Sequence, residues 1–242
     1  MFLRSCTAIL ALSLSSSLYA GAIYSYSVDN PRGSERAGDI KNITTTYDSG
    51  NDIFSWSYTI GQNSHGDYSD GFWLVVTDGE NPKRQMNEYA ILYGDTSTNR
   101  ISAYEYSGEN NANSYNSPRN LVDSFDNLFS IATDETAMER TISFSLSTEK
   151  INNPLPSMVS DASIWKGLSF DDHVGIWFHP STRTDVAYYQ GKVAPGIESF
   201  NYHRQGWYDT SRPEPTTQVP EPGVLSLLAI GLLSLGLARR RA

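Results

Sequence analysis

Phe54-Ser55-Trp56-Ser57-Tyr58-Thr59-Ile60 sets a large apolar side chain at every second position and a small hydroxyl between. Side chains alternate between faces along a strand, so this stretch makes one dry face and one wet face. That is the pattern of a half-buried antiparallel strand. Thr141-Ile142-Ser143-Phe144-Ser145-Leu146-Ser147 repeats it. Phe72-Trp73-Leu74-Val75-Val76 is apolar on both sides and reads as a central strand. Further strands are expected over residues 23–28, 40–47, 89–93, 101–106, 174–178, 185–190 and 197–202. Asp48-Ser49-Gly50-Asn51-Asp52 has the chemistry of a hairpin turn, and Asp78-Gly79-Glu80-Asn81-Pro82 ends the central strand. Only residues 121–131 and 133–140 offer a helical turn. About ten short, evenly spaced strands predict an all-β fold, an antiparallel β-sandwich of jelly-roll, lectin-like type.

Composition agrees. The chain holds 15 Tyr, 9 Phe and 5 Trp in 242 residues, and planar rings suit a pleated surface. Formal net charge is −9, and loss of both ends would leave about −12 or −13. Such acidity argues against a nucleic-acid partner, whose phosphates demand a basic surface. It suits a self-repelling surface protein or a binder of divalent cations. The single cysteine, Cys6, lies near the start of the chain. A body without thiols forms no disulfide and has neither thiolate zinc ligands nor a cysteine nucleophile.

Residues 1–22 read as a secretory signal peptide: Arg4, an apolar stretch over residues 7–14, Ser15-Ser16-Ser17, then small residues for cleavage after Ala20 or Ala22. The alternative is a buried N-terminal helix. At the other end, residues 223–238 are uncharged and rich in Leu, Ala, Gly and Ser. As a helix they reach about 24 Å, short for a bilayer but feasible with local thinning. Arg239, Arg240 and Arg241 follow and act as a cytoplasmic stop, which leaves the body outside. Val219-Pro220-Glu221-Pro222 stands just before, held extended by its two prolines.

Val-Pro-Glu-Pro, a short Leu/Gly-rich segment and a terminal arginine cluster together resemble the PEP-CTERM sorting signal of exported Gram-negative proteins. The resemblance covers about the last 24 residues and implies export through the Sec machinery. It also implies processing by an exosortase, a membrane-embedded cysteine transpeptidase, near the Pro-Glu-Pro motif. It further associates the chain with exopolysaccharide and biofilm, and with the cell surface after transient inner-membrane anchoring. A plain tail anchor is the alternative. The expected organisation is therefore a signal peptide (1–22), a β-sandwich (23–208), a Pro/Thr-rich mobile linker (209–218) and the sorting signal (219–242), with its transmembrane helix at 223–238.

Three chemistries are open to the body. Sugar binding by ring stacking and polar side chains would use the strand carrying His173, Gly175, Trp177 and His179 on one face, with His173, Trp177 and His179 as a platform. The alternative is that this face is buried between sheets or under a loop. Tyr188, Tyr189, Tyr202, Trp207 and Tyr208 are further aromatic candidates. No cofactor is expected, and calcium is the one ion left open. Its candidate ligands are Asp67, Asp70, Asp78, Glu80, Asp171 and Asp172, in sequences that equally well make turns. The four histidines, His65, His173, His179 and His203, have no zinc spacing. Glu88 and Glu105 are the first suspects for a glycosidase pair, yet no nucleophile elbow, phosphate loop or dinucleotide fingerprint exists.

The expected function is a non-enzymatic extracellular protein that interacts with exopolysaccharide or other surface proteins, with no catalytic residues. A polysaccharide-degrading or modifying enzyme on the same scaffold, and a passive structural or assembly protein, are the alternatives.

Overall fold

The structure is a computed structural model and describes residues 21–77, 79, 89–106, 121–154, 167–170, 172–189, 196–210 and 214–219. Its strands are β1 (Ile23–Asp29), β2 (Ile40–Asp48), β3 (Ile53–Gly61), β4 (Ser69–Thr77), β5 (Tyr89–Asp95), β6 (Arg100–Tyr106), β7 (Leu121–Asp126), β8 (Ser130–Asp134) and β9 (Glu139–Ser147). The chain continues through β10 (His173–Thr182), β11 (Asp185–Tyr189), β12 (Gly196–Asn201), β13 (Arg204–Gln205), β14 (Tyr208–Asp209), β15 (Glu214–Pro215) and β16 (Thr217–Val219). Helix is limited to a 3-10 turn, Glu35–Ala37, and one α-turn, Glu149–Asn152, among the described residues.

All pairings are antiparallel. The first sheet runs β16-β1-β2-β3-β9-β8, and the second runs β13-β10-β4-β5-β6-β7, with β14 and β15 also on the free edge of β10. The inward face of β3 supplies Phe54, Trp56, Tyr58 and Ile60, all buried, as its period of two requires. They meet the second sheet ring against ring: Trp56 and Phe178 at 5.2 Å, Tyr58 and Phe72 at 5.8 Å, Phe72 stacked on Phe144 at 5.9 Å. Two hydroxyl bonds cross this core, Tyr58 to Ser69 at 3.0 Å and Tyr26 to Tyr208 at 2.7 Å. The molecule is thus a two-sheet β-sandwich.

Its connectivity is not a jelly roll. Consecutive strands pair within one sheet, as β1-β2-β3 and β4-β5-β6-β7, and the chain crosses between the two sheets after β3, β7, β9 and β15. Residues 121–131 and 133–140, expected to hold a helical turn, form β7, β8 and the start of β9 instead. Val122 points into the core, and Asp134 ends β8 by accepting from the Thr136 and Ala137 amides at 2.9 and 3.0 Å. At the first hairpin the Asp48 carboxylate accepts from the Gly50 and Asn51 amides, both at 3.0 Å.

Of the segment expected as a mobile linker, 209–218, the described residues 209–210 and 214–218 are part of the sandwich. Residues 204–205, 208–209 and 214–215 pair along the edge of β10, Thr182 with Arg204, Phe178 with Tyr208 and His173 with Pro215. The chain then crosses to the other sheet, where Ile23 pairs with Val219 and Ser25 with Thr217. A Pro/Thr-rich composition is compatible with an edge strand, because proline is tolerated there.

A second apolar cluster lies outside the second sheet. Trp73, Val75, Ile91, Tyr93, Tyr104 and Trp177 face away from the sandwich core and are buried beneath Ile197 and Phe200 of the β11–β12 hairpin. The Ile197 amide donates to the Tyr104 hydroxyl and ties the hairpin down. Burial pushes the Tyr104 phenol up to about 12. The reading of Phe72–Val76 as a central strand, apolar on both sides, holds: β4 packs inward on the core and outward on this hairpin.

Candidate functional site

His173, Gly175, Trp177 and His179 do share a face of β10, but the hairpin roofs it. Trp177 is 6% exposed and meets Trp73 edge-on at 4.6 Å, so it belongs to the second cluster rather than to an open platform. His173 sits at one end of the strand with Nδ1 2.9 Å from Asp172, whose carboxyl this contact holds below its ordinary range. His179, nearer the other end, stacks on Trp73 at 3.8 Å. Six residue steps of strand separate the two histidines, roughly 20 Å, so they cannot share one ligand pocket.

Around His179 the chain forms a cleft of about 380 Å³, lined by Ser34, Arg36, His179, Tyr202, His203, Arg204, Gln205, Gly206 and Trp207. Each wall has a local reason. Arg36 stands on the 3-10 turn, whose Ala37 is fully buried and fixes the turn against the sandwich. Residues 202–207 follow directly from β12. The His203 amide bonds the Thr182 carbonyl at 3.0 Å, and the Gly206 amide bonds the Pro180 carbonyl at 3.0 Å. Trp207 pairs with Ser34 through two backbone bonds of 2.8 and 3.2 Å. This closeness needs glycine, since a Cβ on Gly206 would lie 2.6 Å from the Ser34 carbonyl oxygen. The Trp207 ring is 44% exposed, against 6% for Trp177.

Charge gathers at the same end. Arg204 donates to His65 Nε2 at 3.0 Å, and the His65 and His203 rings lie 6.0 Å apart. Asp67 takes two bonds from Arg183, at 3.0 and 2.9 Å, and its carboxyl is held below the usual range chiefly by that guanidinium. Arg204 Nε and Gln205 Nε2 are buried with no hydrogen-bond partner among the described residues. Donors, arginines and an exposed indole therefore face one hollow.

Of the calcium candidates, Asp67 is engaged by Arg183, and Asp70 accepts from the Thr184 amide at 3.0 Å while burial raises its pKa. Asp172 pairs with His173, and Asp78, Glu80 and Asp171 lie outside the described residues. No three His, Cys, Asp or Glu side chains converge among the described residues. Glu105 is on β6, and Glu88 lies outside the described residues. Of the extra aromatics, Tyr202 and Trp207 line the cleft, whereas Tyr188 packs in the second cluster and Tyr208 in the core. Sequence reasoning missed Ser34, Arg36, Arg204 and Gln205. Trp207 beside Gly206 in a polar stretch was the one local signal. A second, shallower hollow of about 420 Å³ lies on the first sheet among Thr44, Ser55, Ser57, Ser143 and neighbours.

Residues 218–241 match the PEP-CTERM protein-sorting motif. The chain carries a PEP-CTERM sorting signal. A PEP-CTERM chain is exported and processed by an exosortase, and Val219 of its motif ends β16. Pro220, Glu221, Pro222, the segment 223–238 and Arg239, Arg240 and Arg241 lie outside the described residues. No helix among the described residues is long and apolar enough to cross a membrane. None of the curated proteins matches this PEP-CTERM chain in sequence. One solved structure, from work on pH-induced modulation of Streptococcus parasanguinis adhesion by Fap1 fimbriae, is 10% identical over 78% of this chain and 96% of its own, at a TM-score of 0.22. That similarity carries no functional argument.

Proposed function

We propose that this chain is a non-enzymatic protein of the Gram-negative cell surface or matrix, whose sandwich holds exopolysaccharide in the cleft beside Trp207. The observation that carries the reading is an exposed indole, 44% accessible, bordering a cleft whose walls also offer Tyr202, Gln205 and two arginines. Sugars present flat C–H faces to such rings and hydroxyls to such donors. The family's association with exopolysaccharide supplies the setting, and the Sec machinery and an exosortase are the handling partners. Among the described residues that line the cleft there is no carboxylate, whereas glycoside hydrolysis needs two across a groove, which favours binding over turnover.

The test is retention of the exported protein on the producing organism's own polysaccharide, compared with Trp207→Ala. Binding should fall at least tenfold with the fold kept, read as an unchanged circular-dichroism spectrum, because 44% of the residue already lies in solvent. Equal retention of wild type and variant overturns the reading. Release of reducing sugar would favour the enzyme alternative, and concentration-dependent self-association without glycan binding would favour a passive assembly protein.

A further inference from the structure

We infer that the cleft selects an acidic saccharide, one carrying a carboxylate of the uronic acid kind on the ring that stacks against Trp207. This rests on the reading of the cleft as a polysaccharide site and specifies the chemistry it takes.

Charge distribution carries the inference. The chain is strongly acidic, with net charge −9, yet Arg36 and Arg204 both line this one hollow, with His203 between its walls and His65 behind Arg204. The nearby carboxylate, Asp67, is already taken by Arg183 and leaves the other two guanidinium groups uncompensated by it. A local positive field in a negative molecule attracts and orients anions, and it repels neutral ligands not at all.

The donors are also of the right kind. Arginine presents a planar fork of N–H groups that matches a carboxylate with two parallel bonds. Arg204 Nε is buried without a partner among the described residues, as is Gln205 Nε2 beside it. Those two atoms carry no exposed surface, so a carboxylate in the cleft meets the guanidinium of exposed Arg36 and the remaining N–H groups of half-buried Arg204. His65 takes up Nη2 of Arg204 and so turns the guanidinium edge that remains. The indole of Trp207 then supplies the stacking surface, and the cavity lies within the range of about 300–1,000 Å³ usual for small-molecule sites. Nucleic acid suits the site poorly, because a phosphate backbone needs a basic track and the rest of this surface is acidic.

The experiment compares oligogalacturonate with oligogalactose of the same length, which differ only in carboxylate against hydroxymethyl. Titration of the exported protein should show at least tenfold tighter binding of the acid. Arg36→Gln should erase that preference while keeping the fold, and 0.5 M NaCl should weaken acid binding alone. Arg204→Gln should do the same; if it fails to fold, Arg36 on its exposed turn decides. Equal binding of both sugars, unchanged by Arg36→Gln but lost in Trp207→Ala, overturns the acidic preference and leaves the polysaccharide reading standing. Loss of neither sugar in Trp207→Ala sinks both. Binding of double-stranded DNA as tight as that of oligogalacturonate overturns the inference in favour of a general polyanion site.

Discussion

The two outward faces of this sandwich are built on opposite terms. Outside the first sheet, Ser27, Thr44, Ser57 and Ser143 lie side by side across four strands, as do Ser25, Thr46, Ser55 and Ser145. Their hydroxyls bond one another, Ser55 to Ser145 at 2.7 Å and Thr59 to Thr141 at 2.8 Å. Outside the second sheet, the corresponding positions are Trp73, Val75, Tyr93, Tyr104 and Trp177. The first face is finished when its strands pair. The second has too much apolar surface to be left in water, so it requires a roof, and the β11–β12 hairpin is that roof. The cleft forms where the roof ends, between Tyr202 and Trp207. The hollow here is a by-product of covering one face and not the other.

Breaking the covered face should have the largest effect. Trp177→Ala removes a buried ring from beneath the hairpin and should cost about 3–5 kcal/mol, read from the denaturant midpoint. A cost below about 1 kcal/mol would mean that the indole is not part of a packed layer. Loosening only the roof is milder. Tyr104→Phe leaves the buried Ile197 amide without its acceptor and should cost about 1–3 kcal/mol. Hydrogen exchange should then quicken across residues 185–201 and stay slow in β4; equal quickening in both would show that the hairpin is not a separable cover.

Acid should act where the two faces meet. Asp70 is held above the ordinary carboxylate range by burial, so the folded state favours its protonated form. Its linked stabilisation is complete below the unfolded Asp value and is lost as pH rises through the folded one. Asp70→Asn, which still accepts from Thr184, should therefore stabilise the protein at pH 7 and give no advantage near pH 3. An equal gain at both pH values would contradict this. The uncovered face should respond least: Ser57→Ala with Ser143→Ala should shift stability by under about 0.5 kcal/mol, measured by thermal melting. A larger loss would show that the hydroxyl rows hold the sheet together.

Much of this contrast was legible in residue order. Phe54 to Ile60 announces one wet face by its serines, and Phe72 to Val76 announces a covered one by having none. Period two located the hairpin strands as well, but nothing local says that they fold back over Trp177, so the platform stayed open beside the more common core reading. Residues 121–140 and 209–218 misled for another reason: short, polar edge strands carry little periodicity, and pairing partners far away decide them. The cleft was the least legible part. Arg204 meets His65 across 139 residues of sequence, and neither has a neighbour that marks it. Spatial convergence of that kind has no signature along the chain.

The pairing of Ile23 with Val219 has a mechanical sequel. Chain entry and chain exit sit shoulder to shoulder, so a molecule tethered through either one hangs from a single corner. Along β10, which carries Pro215 at its His173 end and Arg204 at its Thr182 end, the distance from that corner is nine steps, roughly 30 Å. A tethered copy consequently holds Arg204 at its far tip, reaching away from whatever surface grips it.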